Sequence, residues 1–267
     1  MPKTKIDWCD EVWNPVWGCY NTCRYCYARS IAKRFGKTDD EIAFNPTWIE
    51  KNYLRKFAKS SRYIFVNSMS DVQYWQEEWW IRVLHRIRQL PDLTFIFLTK
   101  GHPVDVYGKR CYPKNVILGI TVTGEYLVET TPHIRECIQR SRVRWLLNIE
   151  PLHGEIIASA RDFDWIIVGA ETGNSQYKII PQFAWVHGII GEAVRLGKSV
   201  FFKDTMKDLV AAAGYPFLRQ FPLSYLHKFL DECASEYGVK PKQTSSQHGG
   251  VPMSINNLPE ELTGGGK

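Results

Sequence analysis

Three cysteines stand close together near the start of the chain, in the stretch WGCYNTCRYCYARS that covers residues 17–30. They are Cys19, Cys23 and Cys26, and their spacing is C-x3-C-x2-C. Thiolate sulfur is a soft ligand that selects zinc, copper(I) or iron–sulfur clusters. A structural zinc site and an ordinary cubane cluster each take four protein ligands. A centre held by these three thiolates would keep one position open for an external ligand.

The alternative is a closed site with a fourth ligand from the protein. Cys9 is the only other cysteine nearby, but its surroundings, DWCDEVW, contain no second C-x2-C pair. A fourth ligand from Cys9 would make the protein a non-catalytic zinc or iron–sulfur module, with nucleic-acid binding as a candidate role. Otherwise Cys9, like the scattered Cys111, Cys137 and Cys233, is expected to be a small buried hydrophobic residue.

Short apolar runs rich in β-branched and aromatic residues predict the strands that would position this motif. Because the runs are almost continuously apolar, they are typical of strands buried on both faces of a parallel sheet. They are RYIFVN (62–67), TFIFLTK (94–100), NVILGITV (115–122), VRWLLNIE (143–150), DWIIVGAE (164–171) and KSVFFKD (198–204), with VWNPVW (12–17) as a shorter candidate before the cysteines.

Helix-like stretches lie between these runs. They are ARSIAKRF after Cys26, NPTWIEKNYLRKFAK from about residue 45, EEWWIRVLHRIRQL over 77–90, GEYLVETTPHIRECIQRS before the fifth strand and PQFAWVHGIIGEAVRLG before the last one. Strand–helix alternation with right-handed crossovers predicts an α/β fold with a parallel sheet. Seven strands favour a partial (β/α)6-7 TIM-like barrel, with the loop that carries the three cysteines after the first strand. A doubly wound open sheet is the alternative, disfavoured because no G-x-G-x-x-G follows a strand.

The rest of the composition sets the organisation and location. We predict a single domain over residues 1–240 and a flexible tail over 241–267, where Gly, Ser, Gln, Asn and Pro dominate. The N-terminal residues lack the apolar region of a signal peptide, and no apolar run is long enough for a membrane span. A cytoplasmic protein is therefore expected. The net charge of +6 suits an anionic substrate or nucleic acid, but is equally common in ordinary enzymes.

Polar or glycine residues follow nearly every predicted strand. The ligand sites of β/α barrels gather at the C-terminal ends of the strands. We therefore expect these residues to line one polar cavity, with helix capping or buried ion pairs as the alternative. They are Asn67, Ser68, Ser70, Asp71, Thr99, Lys100, Thr121, Thr123, Asn148, Glu150, Gly169, Glu171, Thr172, Gly173, Lys203 and Asp204.

The cysteine motif, with the aromatic Tyr25 before its last cysteine, resembles the signature of radical S-adenosylmethionine (SAM) enzymes. In that superfamily three cysteines hold a [4Fe-4S] cluster whose fourth iron binds SAM. Reductive cleavage of SAM then yields a 5′-deoxyadenosyl radical that abstracts hydrogen from a substrate. The motifs WNPVWGC, VNSMSDV, LTK, NIEPL and IVGAETG, in that order, further resemble an uncharacterised radical-SAM-like family of phages and prokaryotes.

The resemblance implies a set of roles. The three cysteines would be the cluster ligands, and Tyr25 would lie beside the adenine of SAM. Ser68 and Asp71 replace the usual glycine-glycine-glutamate-like motif and would offer acceptors to the SAM ammonium. Further cofactor-binding candidates are Thr99, Lys100, Thr121, Asn148, Glu150, Gly169 and Glu171.

Individual expectations follow for some of these residues. Glu150 and Glu171 would bind ribose hydroxyls or substrate, and Gly169 would let the backbone approach the cofactor closely. Lys100 and Lys203 would neutralise a ligand carboxylate or phosphate, or a neighbouring glutamate. The resemblance also implies a reductant of flavodoxin or ferredoxin type.

The substrate stays open at this stage. The basic charge and the phage association favour a nucleic acid or nucleotide over a small metabolite or peptide. Two basic groups, Arg29 with Lys33 and the set at residues 140, 142 and 144, would suit a phosphate backbone, although solvated helix faces are the preferred interpretation. For Trp75, Trp79 and Trp80, core packing is preferred over stacking on bases.

Overall fold

A computed structural model of the protein describes residues 4–34, 44–108, 110–124, 132–172 and 178–222. The chain divides into two compact units. Unit 1 comprises Met1–Thr121 and Thr131–Asn148, and unit 2 comprises Val122–Thr130 and Ile149–Lys267. The predicted domain boundary at residue 240 and the predicted tail over 241–267 lie outside the described residues.

The described residues contain nine strands, of which seven form one sheet in the order β1-β4-β5-β6-β7-β8-β9. The strands are β1 (Glu11–Val12), β2 (Val16–Trp17), β3 (Thr47–Trp48), β4 (Tyr63–Phe65), β5 (Thr94–Thr99), β6 (Val116–Val122), β7 (Arg144–Ile149), β8 (Trp165–Val168) and β9 (Ser199–Phe202). The pairs β1/β4, β4/β5, β5/β6 and β8/β9 are parallel. The predicted α/β class and parallel sheet are therefore confirmed.

Helices connect most of these strands. They are α1 (Tyr27–Arg34), α2 (Glu50–Tyr53), α3 (Glu77–Arg88), α4 (Pro103–Tyr107), α5 (Pro132–Ser141), α6 (Ala184–Arg195) and α7 (Lys207–Ala212). Short 3-10 turns occur at Val72–Tyr74, Ala160–Asp162 and Asp204–Met206. The predicted helices after Cys26, over 77–90 and before the fifth and last strands are confirmed in the residues that the structure describes.

Two predictions about the N-terminal region were wrong in detail. The run VWNPVW is not one strand, because Pro15 has no N–H to donate to a ladder. It is divided between β1, which joins the main sheet, and β2, which pairs antiparallel with β3. The helix predicted from about residue 45 is reduced to α2, because residues 47–48 form the strand that pairs with β2.

The core of unit 1 is rich in aromatic side chains. Trp80 of α3 is fully buried, and its ring centroid lies 5.3 Å from that of Trp75 and 5.3 Å from that of Phe97. Trp79 is also buried. Core packing of these three tryptophans, the preferred prediction, is therefore confirmed.

Unit 2 has its own core, built on β8 and β9. Trp165, Phe201 and Phe202 are fully buried there. Helix α6 ends at Arg195, and Gly197 has a φ of +64°, a left-handed conformation that favours glycine because it has no Cβ. Gly197 thus ends the helix as the sequence predicted.

Truncating Trp80 is expected to destabilise the fold strongly, because it removes a large side chain from a closely packed aromatic core. We expect Trp80→Ala to lower the free energy of unfolding by about 3–5 kcal/mol, measured by urea unfolding. Ile81→Ala is the matched control, since the next residue of the same helix is 61% exposed and should change stability by less than about 0.5 kcal/mol. Equal losses in the two variants would contradict the assigned packing.

Candidate cysteine-loop site

The three cysteines lie on a loop between β2 and α1, which we call the cysteine loop (residues 18–26). Gly18 opens this loop with a φ of +108°, and a Cβ added there would lie 2.0 Å from the carbonyl oxygen of Asn45. The Gly18 N–H donates to the carbonyl of Met69 at 3.0 Å, and the Cys19 N–H donates to that of Phe44 at 2.7 Å. The start of the loop is therefore fixed by backbone contacts that only glycine permits.

Helix α1 supports the other end of the loop. Its buried residues Ala28 and Ala32 form an apolar cluster with Phe44 and Met69. Trp17, Cys19, Cys26 and Ile31 pack as partly buried side chains against this apolar cluster. Two of the three cysteines therefore share one apolar support.

All three thiols are only partly exposed, and burial changes the acidity of Cys19 and Cys23. Burial raises the pKa of Cys19 to about 12, with nearby Asp71, Cys23 and Cys26 adding to the rise and the Asn21 N–H opposing it. Burial also raises the pKa of Cys23, where Lys100 opposes the rise and Cys26 adds to it. The thiols are thus close enough to influence one another electrostatically.

Two of the sulfur atoms also accept hydrogen bonds from the backbone. The Asn21 N–H donates to Cys19 Sγ at 3.3 Å, and the Arg29 N–H donates to Cys26 Sγ at 3.4 Å. Such donors stabilise the negative charge of a thiolate and tune the metal that it binds. Each of these two sulfurs therefore has one backbone N–H donor.

Asp71 ties the cysteine loop to the ends of β4 and β5. Its buried carboxylate accepts four hydrogen bonds. The donors are Asn21 Nδ2 at 3.1 Å, the Gln73 N–H at 3.1 Å, Thr99 Oγ1 at 2.6 Å and the Lys100 N–H at 2.9 Å. Four donors fill the acceptor sites of a carboxylate, so Asp71 and Thr99 position the loop, and the predicted role of Asp71 as an acceptor for an ammonium loses support.

Asn21 and Arg29 are site residues that the sequence analysis did not identify. The Asn21 side-chain oxygen accepts from Tyr74 Oη at 2.8 Å, and its backbone carbonyl accepts from Arg29 Nη2 at 3.2 Å. Arg29 was predicted to lie on a solvated or phosphate-binding helix face, but it points back to the loop. Asn21 carries no sequence signal, because its partners Asp71 and Tyr74 lie 50 and 53 residues away. Arg29 was noted only as a basic residue, since its type does not show that it binds the loop.

Ser68 is likewise engaged by protein partners. Asn14 Nδ2 donates to Ser68 Oγ at 2.9 Å, Asn14 Oδ1 accepts from the Met69 N–H at 3.1 Å, and Tyr27 Oη donates to the Ser68 carbonyl at 2.7 Å. The segment after β4 is therefore held from both sides, by the residue before Pro15 and by the first residue of α1.

The side chains of Tyr25, in the cysteine loop, and Lys100, after β5, are in contact. The Lys100 ammonium lies 5.4 Å from the centroid of the Tyr25 ring, within the range of a cation–π contact. Lys100 is exposed, so this pair is accessible to a ligand beside the cysteines.

Asn148, at the end of β7, presents a buried acceptor. Its Nδ2 donates to Thr121 Oγ1 at 3.3 Å, but its Oδ1 has no donor among the described residues. A buried polar atom without a partner is rare and costly in folded proteins. Thr121 and Asn148, both predicted to bind the cofactor, are therefore brought together with one acceptor atom still to be satisfied.

The strand ends of unit 2 carry one lysine–glutamate ion pair and one histidine–glutamate contact. Lys203 pairs with Glu150, and a Cβ added at Gly169 would lie 2.7 Å from the Lys203 side chain and 3.3 Å from the Glu150 carboxyl carbon. The predicted alternative for Lys203, neutralising a neighbouring glutamate, is confirmed. Gly169 permits a close approach to its backbone, as predicted. The groups that approach it here are the side chains of the Lys203–Glu150 pair.

The second pair joins His153 to Glu171, with 2.8 Å between His153 Nε2 and Glu171 Oε2. Glu171 is buried, whereas 15% of the His153 side chain is exposed. No role was predicted for His153, because a lone histidine without ligand spacing carries no signal in sequence.

The remaining predicted residues are distributed as follows. Cys9 is buried, and its sulfur lies 3.9 Å from the carbonyl oxygen of Ile6. Cys137 is buried as predicted, but Cys111 is exposed, so the prediction for Cys111 was wrong. Arg140 forms an exposed ion pair with Glu136 one helical turn away, which supports the solvated-face interpretation for α5. Gly173 and Cys233 lie outside the described residues.

Among the described residues, no group of three or more His, Cys, Asp or Glu side chains is arranged closely enough to hold a metal ion. The side-chain positions therefore do not form a closed metal site as they stand.

No helix in the described part of the chain has the length and apolar character needed to cross a membrane.

The fold and the site define an α/β protein with a three-cysteine loop anchored to strand ends of its sheet. The chain belongs to the family described as "Protein of unknown function (DUF5131)", which matches residues 3–214. This description assigns no activity, substrate or cofactor. No curated protein matches the chain.

The raised pKa of Cys19 predicts slow alkylation in the metal-free protein. Thiolate is the reactive form, and at pH 8 a group with a pKa of about 12 is ionised to only ~10⁻⁴. We expect iodoacetamide to label the exposed Cys111 first and Cys19 at least ~100-fold more slowly than after unfolding in urea, as followed by mass spectrometry. Labelling of Cys19 at the same rate in the native and unfolded chains would contradict its burial.

Replacing Asp71 with asparagine should loosen the cysteine loop, because the new amide nitrogen would face donors instead of accepting from them. We expect Asp71→Asn to cost about 2–4 kcal/mol of unfolding free energy. The control is Asp105→Asn, a change at a carboxylate whose side chain is 82% exposed, which should cost less than about 0.5 kcal/mol. Urea unfolding of both variants measures these costs. A urea midpoint in Asp71→Asn equal to that of the wild type would contradict the anchoring role of Asp71.

Proposed function

We propose that this protein is a radical SAM enzyme in which Cys19, Cys23 and Cys26 hold a [4Fe-4S] cluster. With SAM bound, the cluster would supply a 5′-deoxyadenosyl radical that abstracts hydrogen from a substrate. The observation that carries the proposal is the cysteine loop itself, which holds three partly buried thiols of the C-x3-C-x2-C motif, and Cys26 lies close enough to the other two to add to the burial that raises the pKa of Cys19 and of Cys23.

The residues present fit such a group in their chemistry. Three soft thiol ligands lie on one loop, and backbone N–H groups already donate to two of the sulfurs. Because the side chains do not converge as they stand, binding requires the three thiols to turn toward a common point. Cys9, the candidate fourth ligand of the alternative, has its sulfur near the Ile6 carbonyl.

The fold is consistent with the proposal. The strand order and the parallel pairings support a partial (β/α)6-7 TIM-like barrel, with the cysteine loop preceding the first helix. In such barrels ligands bind at the C-terminal strand ends, where Thr99 ends β5, Asn148 is the last residue but one of β7, and Asp71 follows β4.

We assign the residues of unit 1 to two groups. Tyr25, Lys100 and Asn148 are proposed to contact SAM, because the first two are accessible beside the loop and Asn148 Oδ1 is a buried acceptor that needs a donor. Ser68, Asp71, Thr99 and Thr121 are proposed to act through their neighbours, because protein partners occupy their polar atoms.

In unit 2, Glu150, Gly169 and Glu171 stay candidates for ribose or substrate binding. A ligand that binds there must compete with or extend the pairs Lys203–Glu150 and His153–Glu171. A nucleic acid or nucleotide substrate, a flavodoxin- or ferredoxin-type reductant and a cytoplasmic location complete the proposal, supported by the net charge of +6 and the motif resemblance.

Anaerobic reconstitution tests the proposal. We expect brown protein with about four irons per chain that forms 5′-deoxyadenosine from SAM and dithionite, measured by iron assay and chromatography. Cys23→Ala should lose both properties. Cys111→Ala, which removes an exposed thiol outside the loop, is the matched control and should keep both.

Two outcomes would contradict the proposal. A colourless protein with one zinc per chain would favour the structural zinc module. Loss of iron in Cys9→Ala as complete as in Cys23→Ala would indicate a closed four-cysteine site, with no position left for SAM.

A further inference from the structure

The indole N–H of Trp17 is buried and has no acceptor among the described residues. Trp17 is the last residue of β2 and stands two positions before Cys19. Leaving a buried donor unsatisfied costs about 1–3 kcal/mol, so native proteins nearly always provide a partner. The position therefore suggests an acceptor that the described residues do not supply.

Five other tryptophans of the protein show the ordinary arrangement, whereas the buried indole nitrogen of Trp8 has no hydrogen-bond acceptor among the described residues. Each of five indole N–H groups donates to an oxygen atom of the chain at 2.6–3.0 Å. They belong to Trp13, Trp48, Trp75, Trp145 and Trp165. Trp17 differs from these residues although it lies on a strand that pairs directly with the strand of Trp48.

The surroundings of Trp17 indicate what the acceptor is. Its side chain packs against the apolar cluster of Ala28, Ala32, Phe44 and Met69, whose side chains offer only the weak thioether acceptor of Met69. Cys19 and Cys26 pack against the same apolar cluster. Trp17 and two of the three proposed cluster ligands therefore share one apolar support.

We propose that Trp17 positions and tunes the iron–sulfur centre by donating a hydrogen bond from Nε1 to a sulfur atom of that centre. This inference rests on the proposed function, because the acceptor is part of the cluster that the three cysteines would hold. Hydrogen bonds to the sulfurs help to set the reduction potential of such clusters. A donor stabilises the more negative, reduced state and so raises the potential.

The Trp17→Phe variant separates this role from packing, because it keeps an aromatic ring and removes only the donor side of the indole. We expect iron content to equal that of the wild type and the midpoint potential to fall. The expected shift corresponds to about a tenfold change in the reduction equilibrium, or ~59 mV for a one-electron couple. The measurement is a redox titration followed by electron paramagnetic resonance (EPR) without SAM.

The matched control is Trp48→Phe. It makes the same chemical change on the neighbouring strand β3, but the indole that it removes already donates to Glu50 at 2.6 Å. Its midpoint potential should equal that of the wild type. An unchanged potential in Trp17→Phe, or an equal shift in both variants, overturns the inference while leaving the proposed function intact.

A second measurement decides the matter if Trp17→Phe does not fold. Wild-type protein labelled with ¹⁵N at the indole nitrogen should show a ¹⁵N coupling to the reduced cluster by pulsed EPR, and the absence of any coupling overturns the inference. Wild-type protein that takes up no iron refutes the proposed function instead, and the iron assay reports this before any variant is compared.

Discussion

The position of the cysteine loop depends on the hydrogen bonds that the Asp71 carboxylate accepts. A buried carboxylate is stable only when its charge is compensated by hydrogen bonds, and Asp71 obtains them from the loop, from the 3-10 turn that follows it and from the end of β5. One side chain thereby joins three segments that are far apart in sequence. The loop is positioned by this demand, since moving it away would remove the Asn21 donor from the buried carboxylate.

The sequence was informative where a property belongs to a continuous segment. Apolar runs such as TFIFLTK and NVILGITV identified β5 and β6, because a strand buried on both faces has no polar positions. The cysteine motif located the loop for a similar reason, since metal ligands must be close together. Both signals can be read without knowledge of the tertiary structure.

The sequence was uninformative where a role depends on a partner elsewhere in the chain. Arg29 looks like an ordinary basic helix residue, and only the folded chain shows that its guanidinium reaches the carbonyl of Asn21. The pair His153–Glu171 exists only because the segments after β7 and β8 lie beside each other, which the bond from the Leu152 N–H to the Gly169 carbonyl fixes at 2.8 Å. The break at Pro15 was visible in the sequence, but the antiparallel pairing of β2 with β3 was not.

The close approach at Gly18 has a consequence for how this protein can vary. The contact between the loop and Asn45 is made by peptide groups, with the missing Cβ of Gly18 facing a carbonyl oxygen. A change of side chain at Asn45 leaves that carbonyl where it is, whereas any side chain at Gly18 must displace it. The contact therefore tolerates substitution at Asn45, whose side chain takes no part in it, but does not tolerate substitution at Gly18, the residue before Cys19.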